Sequence, residues 1–227
     1  ADGDADLLAG GFVTGQVFLF ENIGPQQDGT PRLQARGPLL VDGEPLDTGW
    51  AAAPVAYDLD HDGDLDLLCG AKAVTPQGAD TSDLTGNLLY FENVGSSTQP
   101  QLQRRVFPAN GPPQTGTTLM APVCDWNTDG LPDLLLVTRS SMQVFAVPHI
   151  GSGETPLFDM HGRAGPATWT SQQLPPGTFM DWNHDGLPDL INRFSVFLND
   201  GTGLPHSFSQ RVNIMAGQSP IRHPAPH

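Results

Sequence analysis

The sequence predicts an all-β fold built from four-stranded antiparallel blades, and three observations carry that expectation. An aspartate-rich phrase, Asp-x-(Asp/Asn)-x-Asp-Gly-x-x-Asp, occupies residues 58–66, 125–133 and 181–189, and Asp2, Asp4 and Asp6 overlay Asp62, Asp64 and Asp66 as the end of a fourth copy. Each copy runs directly into a short apolar stretch of strand length, such as Leu67-Leu68-Cys69 or Leu134-Leu135-Leu136-Val137. Downstream of each comes a second repeated phrase: Phe20-Glu21-Asn22, Phe91-Glu92-Asn93 and Phe197-Leu198-Asn199, with residues 143–147 as a degenerate copy.

The first aspartates of the complete copies lie 67 and 56 residues apart, the period of a repeat array. Within one repeat the elements follow in order. One strand enters the loop, over 53–58, 119–125 and 178–181, and a second leaves it. Pro132 and Pro188 stand just ahead of that second strand, where a missing N–H is tolerated. A third strand carries the Phe-Glu-Asn phrase and stops at the turn-forming Asn and Gly. A fourth begins beside a proline, at Pro31, Pro100, Pro156 or Pro205. Four short strands per roughly 60 residues, with no helical period, is the unit of a β-propeller blade. Residues 1–211 are expected to hold an incomplete blade at about 1–50 and three more at 51–116, 117–176 and 177–211, with a proline-rich tail at 212–227.

The aspartate loops read as calcium sites. Two carboxylates about 5 Å apart repel by roughly 3 kcal/mol at an effective dielectric near 20, so this density of acid calls for a cation. Hard oxygen ligands on alternate residues, with glycine at the sixth place, suit a seven-coordinate calcium ion. The expected ligands in the first complete loop are the side chains of Asp58, Asp60, Asp62 and Asp66 with the carbonyl of Asp64. The next loop offers Asp125, Asn127, Asp129 and Asp133 with the carbonyl of Leu131, and the last offers Asp181, Asn183, Asp185 and Asp189 with that of Leu187. Asp2, Asp4 and Asp6 would be a partial fourth site. An EF-hand would close with glutamate at position twelve and continue as helix. Cys69, Leu136 and Asn192 stand there instead. Metal-free polar turns also favour Asp and Gly, but Asp at positions one, five and nine of all three complete copies exceeds turn chemistry. Magnesium, which demands near-octahedral geometry, fits less well. The loop at 58–66 has the most carboxylates and is expected to fill first, with the metal structural and not catalytic.

The calcium loop leading into Asp-Leu-Leu-x-Gly and then Phe-Glu-Asn-x-Gly resembles the FG-GAP or VCBS repeat, over about residues 1–211. The resemblance implies a β-propeller, often seven-bladed, with calcium between the first and second strands of a blade, as in integrin α-subunit heads and secreted bacterial proteins. About four blades are present and the first lacks its inner strand. A ring of four such blades is one alternative; because the sequence starts inside a ligand loop, the expectation is part of a seven- or eight-bladed ring, completed upstream or by other chains. By the same resemblance Trp126 and Trp182 pack between blades. The connections at 37–50 and 161–176, carrying Trp50 and Trp169, would line the face opposite calcium together with the loop at 73–86. Exposed tryptophan on that face suits a protein or glycan ligand. Packing of both rings on a neighbouring blade is the plainer alternative.

Composition narrows the remaining choices. Acid comes as 21 Asp against 4 Glu, and 14 of the Asp fall in the loops, so the charge belongs to sites and not to a general surface field. Three calcium ions would take the net charge from −15 to −9. Only ten Lys and Arg are scattered along the chain, which argues against a nucleic-acid partner. No apolar stretch approaches the roughly 18 residues of a membrane span. Weak calcium sites fill best at the millimolar calcium found outside cells, so an extracellular or cell-surface location is expected. Cys69 and Cys124, among aliphatic neighbours, read as buried free thiols, although an oxidising compartment would permit a disulfide. There is no nucleophile elbow, phosphate-cradling glycine motif or paired-cysteine ligand motif. His61 and His184, at loop position four, are expected to face solvent, as are His149, His161, His206, His223 and His227. The expected function is a non-enzymatic protein- or glycan-binding, adhesion-type module. The alternatives are a structural subunit of a larger surface assembly and an accessory domain of a polysaccharide-degrading enzyme.

Overall fold

The computed structural model describes residues 5–26, 30–72, 86–110, 118–120, 123–127, 129–138, 144–152, 155–160, 178–192, 195–201 and 208–213. The described residues form strands and turns, with no helix among them, in four sheets. Strands β1 (Leu7–Gly10), β2 (Val17–Pro25) and β3 (Pro31–Pro38) make the first. A short hairpin, β4 (Leu40–Val41) and β5 (Glu44–Pro45), leads into β6 (Trp50–Tyr57), β7 (Asp66–Lys72), β8 (Gly86–Asn93) and β9 (Leu102–Arg105), all in the second sheet. In the third, β12 (Asp133–Thr138) pairs with β10 (Thr118–Met120) and β11 (Val123–Cys124) on one side and β13 (Val144–Val147) on the other. Strands β14 (Thr178–Met180), β15 (Asp189–Asn192), β16 (Ser195–Asn199) and β17 (Phe208–Asn213) follow one another across the fourth. Within β6–β9 and within β14–β17 successive neighbours are antiparallel, which is the expected blade pattern.

The apolar runs after the 58–66 and 125–133 loops lack polar alternation because the second and third sheets are packed on both faces. In β7, Leu67 and Cys69 join Val17, Leu46 and Phe91 in a core toward the first sheet. The intervening Leu68 turns the other way, with Leu59 and Tyr90, onto Leu134, Leu136, Val147 and Phe158 of the third repeat. Leu135 points oppositely to Leu134 and Leu136, and meets Trp126, Ala146, Phe179 and Leu190 between the third and fourth sheets. The two-residue period of a strand thus sends alternate leucines into different inter-sheet cores. Trp126, 4% exposed, meets the edge of Phe179 at 5.8 Å, as expected of an aromatic wedged between blades. At Gly10 an added Cβ would stand 1.9 Å from the Ala52 carbonyl oxygen, so only glycine lets β1 approach β6.

Two expectations change. Residues 37–50 are not a plain connection: Asp42 and Gly43, with φ of 53° and 85°, turn the β4–β5 hairpin, and Val41 pairs in parallel with Leu102 of β9. Asp-Gly with both residues left-handed is the favoured chemistry of a tight hairpin. The segment expected as the fourth strand of the third repeat, 156–159, is reduced to isolated bridges. There Phe158 pairs antiparallel with His149 and parallel with Ala109, and its ring stacks on Phe107 at 5.2 Å. The incoming connection takes up hydrogen bonds that an extended outer strand would make: the Phe158 N–H donates to Pro108, and the Phe158 carbonyl accepts from Asn110.

The loop at 73–85, the connection at 161–177, the tail from 214 onward, Asp2, Asp4 and Trp169 lie outside the described residues. Cys69 is buried, Cys124 is half-buried, and both are free thiols.

Candidate metal centre

Each complete loop joins the strand that enters it to the strand that leaves, and glycine at position six makes the turn. Gly63, Gly130 and Gly186 have φ of 96°, 87° and 86°, a region that carries a steric cost for residues with a Cβ. The side chains curl inward because each early carboxylate or amide oxygen accepts backbone N–H groups of its own loop. The position-one oxygens of Asp58, Asp125 and Asp181 accept from Gly63 at 3.2 Å, Gly130 at 2.9 Å and Gly186 at 3.0 Å. Position three accepts from position five: Asp60 from Asp62, Asn127 from Asp129, Asn183 from Asp185. Position five accepts from position seven: Asp62 from Asp64, Asp129 from Leu131, Asp185 from Leu187. Such bonds hold acceptor oxygens on one side of the turn before any ion arrives.

In the loop at 58–66, one oxygen from each of Asp58, Asp60 and Asp62 lies within 4.8 Å of the others. Oxygens about 2.4 Å from a shared calcium ion can be at most about 5 Å apart, so all three fit one coordination sphere. Asp58 Oδ1 and Asp64 Oδ1 are buried without a hydrogen-bond donor, and buried acceptors are rarely left so. The residues present therefore fit a hard cation. In the other two loops the amides of Asn127 and Asn183 donate to Asp129 and Asp185 at 2.8 Å, so part of the mutual repulsion is replaced by a hydrogen bond.

Position nine is placed differently from positions one, three and five. Asp66, Asp133 and Asp189 are all but fully buried, and each spans two elements. One oxygen accepts from position two of its own loop: Leu59 at 3.3 Å, Trp126 at 3.0 Å, Trp182 at 3.0 Å. The other accepts, at 2.8 Å, from the end of the third strand or just beyond it: Asn93, His149 and Asn199. Asp6 makes the same 2.8 Å bond to the Asn22 N–H, so even the partial copy keeps this tie. The ninth aspartate thus brackets loop to sheet. The side chains of Asn22, Asn93 and Asn199 then cap the following turn by accepting from Gly24, Gly95 and Gly201. Sequence reading found these asparagines as turn residues and missed that their N–H groups hold the loop, although recurrence of the phrase in three of the four repeats was the available signal.

Burial raises the pKa of Asp66 to about 6, against the pull of the Asn93 and Leu59 N–H groups. Desolvation likewise raises Asp133 and Asp189. Asp60 is raised by desolvation and then by the Asp62 charge. Carboxylates held reluctantly ionised are stabilised by a divalent ion among them.

The histidines divide. His61 and His184 are exposed, with left-handed φ of 58° and 61°. His149 is 2% exposed, which corrects the expectation of a solvated loop residue. It takes the place of the repeated asparagine, its N–H is needed by Asp133, and its ring stacks on Phe158 at 5.1 Å. His161, His206, His223 and His227 lie outside the described residues. Trp50 opens β6, at the end of that strand opposite the 58–66 loop and about 20 Å away by strand rise. Its ring is half-buried and lies 5.1 Å from Phe12, which is exposed together with Val13.

Neither the curated proteins nor the solved structures offer a significant match to the chain. Residues 1–69, which span the partial loop, the first sheet and the whole 58–66 loop, do match a family model, that of the FG-GAP-like repeat, and that stretch is similar to it.

Proposed function

We propose that this chain is a calcium-binding, propeller-like module of an extracellular or cell-surface protein, one that recognises a protein or glycan and does no chemistry of its own. The observation that carries the metal reading is the convergence of Asp58, Asp60 and Asp62 beside a buried, donorless Asp58 oxygen. Calcium bound there would tie β6 to β7 and offset the carboxylate repulsion. With a Kd of about 10 to 100 μM and millimolar calcium, this site would stabilise the fold by roughly 1.4 to 2.7 kcal/mol. Calorimetric melting is expected to show Tm rising with calcium and falling back with chelator. A Tm indifferent to both would remove the proposal.

Phe12, Val13 and Trp50 support recognition at the opposite end of the blades, where aromatic and aliphatic surface is offered away from the acid loops. A glycan array and a library of extracellular proteins probed with the wild type and with Trp50→Ala test this. Loss of about tenfold or more in affinity for a captured ligand is expected from the variant. Equal binding by both would move recognition elsewhere.

A further inference from the structure

One outer-strand position is equivalent in all four repeats: Leu33 pairs with Asn22, Leu102 with Asn93, Phe158 with His149 and Phe208 with Asn199. In the second and third repeats the incoming connection lays a strap, parallel, along the outside of that position. Val41 of β4 pairs with Leu102, and Ala109 pairs with Phe158. The second strap is bonded on both sides, since the Phe158 N–H donates to the Pro108 carbonyl at 2.9 Å and the Phe158 carbonyl accepts from the Asn110 N–H at 3.1 Å. Each strap also packs into a core, Val41 with Leu102 and Ala109 with Phe158. Phe158 is fully buried beneath its strap and Leu102 is half-buried. The first repeat has the position but, among the described residues, no strap. There β3 is the edge of its sheet, residues 31–36 are exposed without interruption, and Leu33 is 42% exposed. A long exposed edge of this kind can accept a further strand.

The two straps share a spacing with a third segment of the chain. Val41 and Ala109 stand eight and seven residues after Leu33 and Leu102, and Gly43 and Gly111 follow each two residues on. Seven residues after Phe208 the sequence has Met215, and Gly217 follows two residues on. This segment begins where β17 stops, so it is placed in the chain to strap the repeat that comes after the fourth. The three buried cores join the first sheet to the second, the second to the third and the third to the fourth, which puts β3 and β17 at opposite ends of the series. Residues 214–227 contain Arg222 and no acidic side chain, in a protein of net charge −15, so charge favours their approach to another copy. We propose that the exposed edge of β3 is a docking site for residues 214–217 of a second copy of this chain, with Met215 set parallel to Leu33. The contact is heterologous: one copy gives the strap, its neighbour gives the edge, and the copies join head to tail. It depends on neither calcium nor the ligand face.

Sedimentation of the full chain over a range of concentrations tests the proposal. Leu33→Asp places a charge on the edge, and a chain shortened to end at Asn213 lacks the strap. The wild type is expected to associate as concentration rises, and each variant to need about tenfold more protein or higher to do so. An equimolar mixture of the two variants should form a one-to-one dimer that neither forms alone, because Leu33→Asp keeps a strap and the shortened chain keeps an edge. Circular dichroism of each variant at low concentration checks that it is folded. Should the shortened chain fail that check, Met215→Asp takes its place in the same mixture. A wild type that stays monomeric, association unchanged in both variants, or a mixture that forms no dimer would each overturn the proposal. So would a monomer whose melting temperature falls on shortening, since the strap would then serve its own copy.

Discussion

Asp133→Ala is expected to destabilise the metal-free protein by about 4 kcal/mol, far more than Asp129→Ala four residues earlier. Asp133 is 1% exposed and accepts from His149 at 2.8 Å, Trp126 at 3.0 Å and Asn127 at 3.1 Å. Hydrogen bonds to a charged group contribute about 1.5 to 3 kcal/mol each, and buried N–H groups left without an acceptor add to the loss, while relief of a desolvated charge offsets part of it. Asp129 is exposed, so its truncation should cost about 1 kcal/mol or less in chelator and more once calcium is present. Urea unfolding of the two variants, with and without calcium, separates the roles. If both lost the same stability in chelator, the ninth aspartate would be another metal ligand and not a bracket between loop and sheet.

The second large effect is in pH. Metal-free protein is expected to become more stable as pH falls from 7 to 5, opposite to a fold held by salt-bridged carboxylates. Asp66 has its pKa raised from 3.8 to about 6, first by burial. In that window the folded state holds a proton that the unfolded state has released. The stabilisation is therefore complete below the unfolded value and is lost as pH rises through about 6; the whole is on the order of 3 kcal/mol, of which roughly 1.3 kcal/mol falls between pH 5 and 7. Asp60, Asp64, Asp133 and Asp189 are shifted in the same direction. His149 acts with the opposite sign. Burial lowers its pKa from 6.5, so its contribution is present above that value and lost as pH falls toward the folded one. One histidine opposes five carboxyls, and the net slope follows the carboxyls. Saturating calcium competes with protons for the same oxygens and should reverse the slope. Urea midpoints at pH 5 and 7, with metal removed and with calcium in excess, provide the measurement. Equal metal-free midpoints, or a higher one at pH 7, would show that the buried aspartates titrate as ordinary ones.

Much of the fold was readable because it is written repeatedly. The loops, the apolar strands behind them and the Phe-Glu-Asn phrase locate three of the four strands of a blade, and the sheets contain them in that order. Glycine at position six had to be left-handed for the chain to turn, and it is. The β4–β5 hairpin was also legible, since Asp42-Gly43 is a hairpin dipeptide, but its strands are only two residues long and carry no periodicity. The fourth segment of the third repeat could not be judged locally. Whether 156–159 extends as a strand depends on Phe107 and Ala109, some fifty residues away in the chain, occupying its edge.

By itself the sequence determined the element order, the loops and the identity of the acids within them, because propensity, turn chemistry and spacing act over a few residues. Only the tertiary structure decided what those acids do: which three converge, that the ninth is taken up by the sheet, that Asp64 is buried and that His149 is shielded. Those outcomes depend on burial and on N–H donors arriving from another strand. Neither quantity exists until the sheets have packed against one another.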